Sequence, residues 1–196
     1  MRILVIYCHP VETSYAAALR ASVLEGLADG GHEAVTLDLY GEGFAPVLSR
    51  EERLLYRDTT RNSDGVEAYT RQLREVQGIV LVYPTWWYGM PAMLKGYFDR
   101  VWLPGVAFDI ARDGRLTTGR LGHIRRLAVV TTCGATWWLT RLYLGDPARR
   151  LVKRGLRPLC ARDCRVDWYA HYDMDRATQA GLAGFRNRVR AGMAKL

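Results

Sequence analysis

The sequence predicts an α/β fold: a doubly wound parallel sheet of five strands in the order 2-1-3-4-5, with helices on both faces, forming a single domain over residues 1–196. Three observations carry this expectation. Short apolar runs rich in β-branched residues, RILVIY at 2–7, IVLVY at 79–83 and RLAVVTT at 126–132, read as strands covered on both faces. Stretches of helical period alternate with them along the whole chain, as in a sheet wound through crossover helices. Finally, five such units follow one another with no long insertion. In this arrangement ligands bind at the carboxyl ends of the strands, at the switch point beside strand 1.

After the first strand, CHPVETSYAAAL turns into a helix that Thr13 or Ser14 can cap, with an apolar stripe at Ala17, Ala21, Leu24, Leu27 and Ala28 and a stop at Gly30 and Gly31. HEAVTLDL at 32–39 alternates polar and apolar like a strand near the sheet edge, and YGEGFAPVLSREE leads through a loop into a short helix. A further helix spans roughly residues 64–76 ahead of the third strand. That strand ends at Pro84 and runs through an aromatic loop into a helix opened by Pro91, whose Met93, Leu94, Tyr97, Phe98, Val101 and Trp102 recur at helical spacing. The Gly-rich stretch after residue 102 reads as an excursion with a hairpin around Asp113 and Gly114. Asp146 and Pro147 open a helix that Gly155 closes, a fifth strand lies within 157–170, and a last helix begins near Asp175 with Leu182, Phe185, Val189 and Leu196 along its stripe.

A composition of 49% hydrophobic and 24% charged residues is that of an ordinary globular chain, and no apolar run approaches the 18 or so residues needed to cross a bilayer. Membrane insertion is not expected. The N-terminal apolar stretch is too short for a signal peptide and lacks a small-residue cleavage site. Cys8, Cys133, Cys160 and Cys164 form no Cys-x-x-Cys pair and have no His at zinc-like spacing, so neither a metal site nor a disulfide framework is expected and a reducing cytoplasm fits. A net charge of +8 favours anionic partners. The basic residues are nevertheless scattered, apart from Arg125 and Arg126 and the group Arg149, Arg150, Lys153 and Arg154, and no nucleic-acid motif accompanies them.

Three loops are expected to meet at the switch point. The first, after strand 1, ends at a helix N-terminus, where free amides and the helix dipole favour an anion and Thr13 and Ser14 add hydroxyls. It carries neither the G-x-G-x-x-G of dinucleotide folds nor the G-x-x-x-x-G-K-[ST] of nucleotide triphosphatases. The second loop sets Trp86, Trp87 and Tyr88 side by side, aromatic surface suited to a flat ligand. The third, at residues 132–136, offers small residues and exposed amides. A phosphate seat, an aromatic wall and backbone donors together describe a site for a phosphorylated planar heterocycle, and flavin is the candidate.

CHPVETSYAAAL, YPTWWYGMPAMLKGYFDRVWLPGVAF and VVTTCG together resemble the flavodoxin-fold NAD(P)H:quinone oxidoreductases, the family of mammalian quinone reductase, the bacterial modulators of drug activity and the ancillary oxidoreductases of potassium efflux systems. The resemblance covers nearly the whole chain. It implies a bound flavin, FAD rather than FMN, two-electron transfer from NAD(P)H to quinone-like acceptors, and a homodimer with each active site at the subunit interface. By residue, it implies that His9, Thr13, Ser14 and Tyr15 form the phosphate-side loop. Pro84, Thr85, Trp86, Trp87 and Tyr88 would lie along the isoalloxazine, and Thr131, Thr132, Cys133 and Gly134 over its polar edge.

Two departures from the family stand out. Cys133 replaces the first glycine of a Thr-Thr-Gly-Gly pattern, and the tyrosine and histidine that balance charge in the mammalian enzyme fall near Leu139 and Gly145, which cannot do so. Trp137, Trp138 and Tyr143 lie nearby without an assigned role. The resemblance implies hydride transfer from nicotinamide C4 to flavin N5 with no side-chain acid or nucleophile, so no catalytic side chain is named. Two rival readings are an ancillary regulatory subunit of a membrane transport system, with little turnover of its own, and an electron-carrier flavodoxin, against which the basic charge weighs.

Overall fold

The computed structural model describes residues 1–111 and 117–196. Along the chain run β1 (Arg2–Tyr7), α1 (Tyr15–Asp29), β2 (Glu33–Asp38), α2 (Arg50–Leu55), α3 (Glu67–Glu75), β3 (Gly78–Pro84), α4 (Ala92–Val101), β4 (Phe108–Asp109), β5 (Thr118–Gly119), β6 (Arg126–Thr132), α5 (Pro147–Arg150), β7 (Arg165–His171) and α6 (Gln179–Met193). Five strands form one parallel sheet in the order β2-β1-β3-β6-β7. The numbering departs from the expected 2-1-3-4-5 because β4 and β5 pair with each other in a separate antiparallel ribbon, Phe108 opposite Gly119. The hairpin tip expected at Asp113 and Gly114 lies outside the described residues.

Strand pleating sorts the apolar runs onto two faces. Ile3, Val5, Val80, Val82, Ala128 and Val130 pack against Leu19 and Val23 of α1 and Phe185 and Val189 of α6. The alternate residues Leu4, Ile6, Ile79, Leu81, Leu127 and Val129 pack against Leu73 of α3, Leu94 and Tyr97 of α4 and Val152 beyond α5. All seven residues of β3 are buried, which explains its unbroken apolar run. β2 stands at the sheet edge, as its alternation predicts.

Four expectations require correction. Of the expected stripe of α1 only Leu27 is fully buried; the buried face is shifted to Ala16, Leu19, Ser22, Val23, Gly26 and Leu27, because the helix is wedged between the sheet and α6. Gly155 does not close the α5 helix: its φ is not positive, and the chain continues through a π-helical segment, Leu151–Leu156, into a 3₁₀ turn, Arg157–Leu159, that holds Pro158. The fifth sheet strand therefore starts only at Arg165. The last helix starts at Gln179, capped by Thr178, whose hydroxyl accepts from the Gly181 amide, while Asp175 sits in a preceding 3₁₀ turn.

Gly26 is required by the close approach of the terminal helices. A Cβ there would lie 2.3 Å from the Arg190 carbonyl oxygen of α6. Gly26→Ala should destabilise the fold by about 1–2 kcal/mol net, after the roughly 1 kcal/mol that alanine gains in helix propensity. Thermal unfolding would show this as a fall of roughly 2–8 °C in Tm; an unchanged Tm would mean that α1 and α6 separate freely.

Candidate functional site

Between β1 and β3 the connections leave in opposite directions, and the crevice above their carboxyl ends is bounded by three loops. Ser14 caps α1, its Oγ accepting from the Ala17 amide at 3.2 Å and lying 3.3 Å from the Tyr7 hydroxyl. The first two helical amides, of Tyr15 and Ala16, have no acceptor among the described residues. Thr13 is exposed in the turn before them. His9 Nδ1 lies 3.0 Å from the Val11 amide and 3.1 Å from its carbonyl oxygen, which ties the ring to its own loop and leaves Nε2 for a ligand. The Tyr15 side chain turns away, its hydroxyl donating to the Leu182 carbonyl at 2.8 Å.

The second loop is a tight turn. Trp86 and Gly89 exchange backbone hydrogen bonds at 3.2 and 3.0 Å, and the two residues between them, Trp87 at φ 49° and Tyr88 at φ 58°, are both left-handed. This is the signature of a type I′ turn, which favours Asn-Gly. Filling it with two large aromatics costs about 1–2 kcal/mol per residue. Trp87 is 97% exposed and Trp86 43%. The ring centroids of Trp86 and His9 are 6.3 Å apart, so the first two loops meet.

The third loop is tied to the second. The Thr85 amide donates to the Thr132 carbonyl at 2.7 Å, and the hydroxyls of Thr85 and Thr131 are 2.9 Å apart. Thr131 is buried, so its hydroxyl is committed to this tie. The Cys133 amide donates to the His171 carbonyl at 2.8 Å, and the Cys133 thiol lies 3.7 Å from the Thr140 hydroxyl. Gly134 is exposed, and the amides of Gly134 and Ala135 have no acceptor among the described residues. Pro84 is buried at the end of β3 and supports the loop from beneath.

The flavodoxin-like fold family model matches residues 1–182. The chain belongs to the flavodoxin-like fold family. Among its relatives, the uncharacterised NAD(P)H oxidoreductase YcaK of Escherichia coli K12 is 35% identical over 108 residues, 55% of each chain. The NAD(P)H dehydrogenase [quinone] 1 of Rattus norvegicus is 29% identical over 151 residues, 68% of this chain and 54% of that one. The chain thus spans about half the length of these curated relatives. The crystal structure of Smu.1420 from Streptococcus mutans UA159 superposes with a TM-score of 0.88 over the whole of both chains, at 27% identity.

Within this flavodoxin-like frame the structure places several residues that had no part in the site as read from the sequence. Asp146 is buried, at φ 53°, and its carboxylate faces Arg141 at 3.4 Å instead of capping α5. With Thr85, Tyr88, Thr131 and Cys133 it lines a cavity of about 10 Å³ behind the crevice, room for a single water. Its place just before Pro147 concealed it, because Asp-Pro there reads as an ordinary helix start. Of the positions that lack the family's charge-balancing side chains, Leu139 opens a π-helical turn, Leu139–Tyr143, and Gly145 follows it; the neighbourhood of the turn exposes Trp137, Trp138, Leu142 and Tyr143. Burial pushes the Cys8 thiol up to about 12, so it stays protonated at neutral pH and is no nucleophile. Among the described residues no His, Cys, Asp or Glu cluster could hold a metal ion, and no helix is long and apolar enough to cross a membrane.

Replacing the strained pair by Trp87→Asn with Tyr88→Gly should raise the unfolding free energy of the ligand-free chain by about 1–2 kcal/mol, since the new pair suits the turn. Urea unfolding measures this. An unchanged or lower value would show that contacts of Tyr88 outweigh the strain.

Proposed function

We propose that the chain is a flavin-dependent NAD(P)H oxidoreductase that reduces quinone-like acceptors by two electrons. The observation that carries this reading is the 86–89 turn, which holds an almost fully exposed Trp87 in a costly conformation beside an amide-rich helix start. Strain of this kind persists where a site needs it. The names of the E. coli and rat relatives support the same reading.

A bound flavin would supply the redox chemistry, two-electron transfer between NAD(P)H and the acceptor. The residues of the chain bind and orient. Thr13, Ser14 and the amides of Tyr15 and Ala16 hold a phosphate, with His9 Nε2 as a further donor. Pro84 and Thr85 set the height of the second loop, and Trp86, Trp87 and Tyr88 form the wall for the ring. Thr131 and Thr132 act by holding Thr85, not by meeting the ligand. The Cys133 amide is already bonded to His171, so the donors for the polar edge of the ring are the amides of Gly134 and Ala135. These amides do the work of the absent tyrosine and histidine at Leu139 and Gly145.

The proposal takes FAD over FMN from the chain-wide resemblance to quinone reductases. It takes a homodimer from the same source, and the exposed Trp137, Trp138, Leu142 and Tyr143 beside the crevice suit a partner surface. Four free thiols fit a reducing cytoplasm.

An absorbance spectrum of the purified protein in air-free buffer, before and after NADPH and then menadione, tests the reading. Yellow colour bleached by NADPH and restored by the quinone is expected, and heat release identifies the flavin. A colourless protein that takes up no added flavin and oxidises no NADPH would overturn the enzyme reading in favour of a regulatory partner.

A further inference from the structure

The stretch GDPARRLVKR at 145–154 places two pairs of cations four residues apart, a spacing that brings all four to one side of a helix. In the structure Arg149, Arg150, Lys153 and Arg154 join Arg141, from the preceding π turn, around a groove of about 260 Å³. Its one carboxylate, Asp146, already faces Arg141. Among the described residues none of Arg149, Arg150, Lys153 and Arg154 has an acidic partner. Like charges so placed on a helix repel, which disfavours the arrangement unless an anion joins it.

The groove is built as well as charged. Gly145 stands at φ 70°, and the Arg150 guanidinium occupies the space of a side chain there: a Cβ would lie 2.6 Å from Arg150 Nη2. Arg149 Nε is buried with no hydrogen-bond partner among the described residues. At the groove's edge the Arg141 guanidinium lies 5.8 Å from the centre of the Trp137 ring, a flat apolar surface beside the cations. The groove also backs onto the small cavity behind the crevice. Asp146 lines both the groove and the small cavity behind Thr85, Tyr88 and Cys133.

We infer that this groove seats a ribose phosphomonoester, the 2′-phosphate of NADPH, and makes the chain selective for NADPH over NADH. The inference rests on the oxidoreductase reading for the identity of the coenzyme. A dianionic phosphomonoester matches four uncompensated cations, and guanidinium forks pair with phosphate oxygens bidentately. NADH lacks this group and would leave the cations unpaired. With a nicotinamide ring in the crevice, the far half of the coenzyme would have to reach over the surface to this groove, which shares Asp146 with the cavity behind the crevice.

Calorimetric titration of the full chain with adenosine 2′,5′-bisphosphate, 5′-AMP and inorganic phosphate, at one fixed ionic strength, tests this without turnover. The bisphosphate should bind at least roughly tenfold tighter than 5′-AMP, as a charge-assisted phosphate contact allows. Arg150→Ala with Lys153→Ala, both exposed side chains, should abolish that difference. Equal affinity for the two nucleotides, a preference that survives in the double variant, or inorganic phosphate binding as tightly as the bisphosphate would each overturn the inference. The two readings fail separately: a protein that takes up flavin but does not distinguish the nucleotides overturns only the groove. One that distinguishes them but takes up no flavin supports the groove and overturns the oxidoreductase.

Discussion

Parallel pairing of β3 with β1 on one side and β6 on the other is the constraint on which the rest of the structure depends. Tyr7 stands opposite Val82, and Tyr83 and Pro84 stand opposite Thr131 and Thr132, so the three strands end at nearly one level. Parallel strands return through crossovers, which places every exit loop on the same edge of the sheet. The crevice is therefore a product of topology before any side chain is chosen. Burial of β3 on both faces fixes that register, since a one-residue slip would exchange the two sets of apolar side chains.

Above this rigid floor, stability and binding compete in the second loop. The Thr85 bonds to Thr131 and Thr132 hold the base of the loop, which lets its tip keep two left-handed aromatics. Elsewhere the chain spends its hydroxyls and cysteines on itself: Thr131 on Thr85, Tyr15 on Leu182, the Cys133 amide on His171. What stays free at the crevice is mostly backbone, the amides of Tyr15, Ala16, Gly134 and Ala135. Such a site binds and orients while leaving the chemistry to a cofactor, with His9 Nε2 as a side-chain group left free there.

Much of this was legible in the sequence where burial is symmetrical. β1, β3 and β6 bury both faces and read as plain apolar runs, and the start of α1 was marked by Thr13 or Ser14, of which Ser14 is the cap. β7 was blurred because it is an edge strand of intermediate exposure, preceded by a helical segment that Gly155 does not stop. The loop residues were found but not their duties. Residue type marks Thr131 as polar, and only the three-dimensional tie to Thr85 shows that its hydroxyl is used internally. Backbone strain at Trp87 and Tyr88 leaves no trace in an aromatic pattern, and the groove at Arg141 to Arg154 needs the π turn and the Gly145 bend to close it.

The account turns on Trp87 facing a flavin rather than solvent, a core or another subunit. The direct measurement is a titration of the flavin-free chain and of Trp87→Ala with FAD and FMN, followed by quenching of flavin fluorescence. Loss of a ring-sized apolar contact should weaken binding of the preferred flavin by about tenfold or more, from roughly 1.5–3 kcal/mol of buried aromatic surface. Equal affinity in both proteins would contradict the account and assign the exposed Trp87 to some other surface.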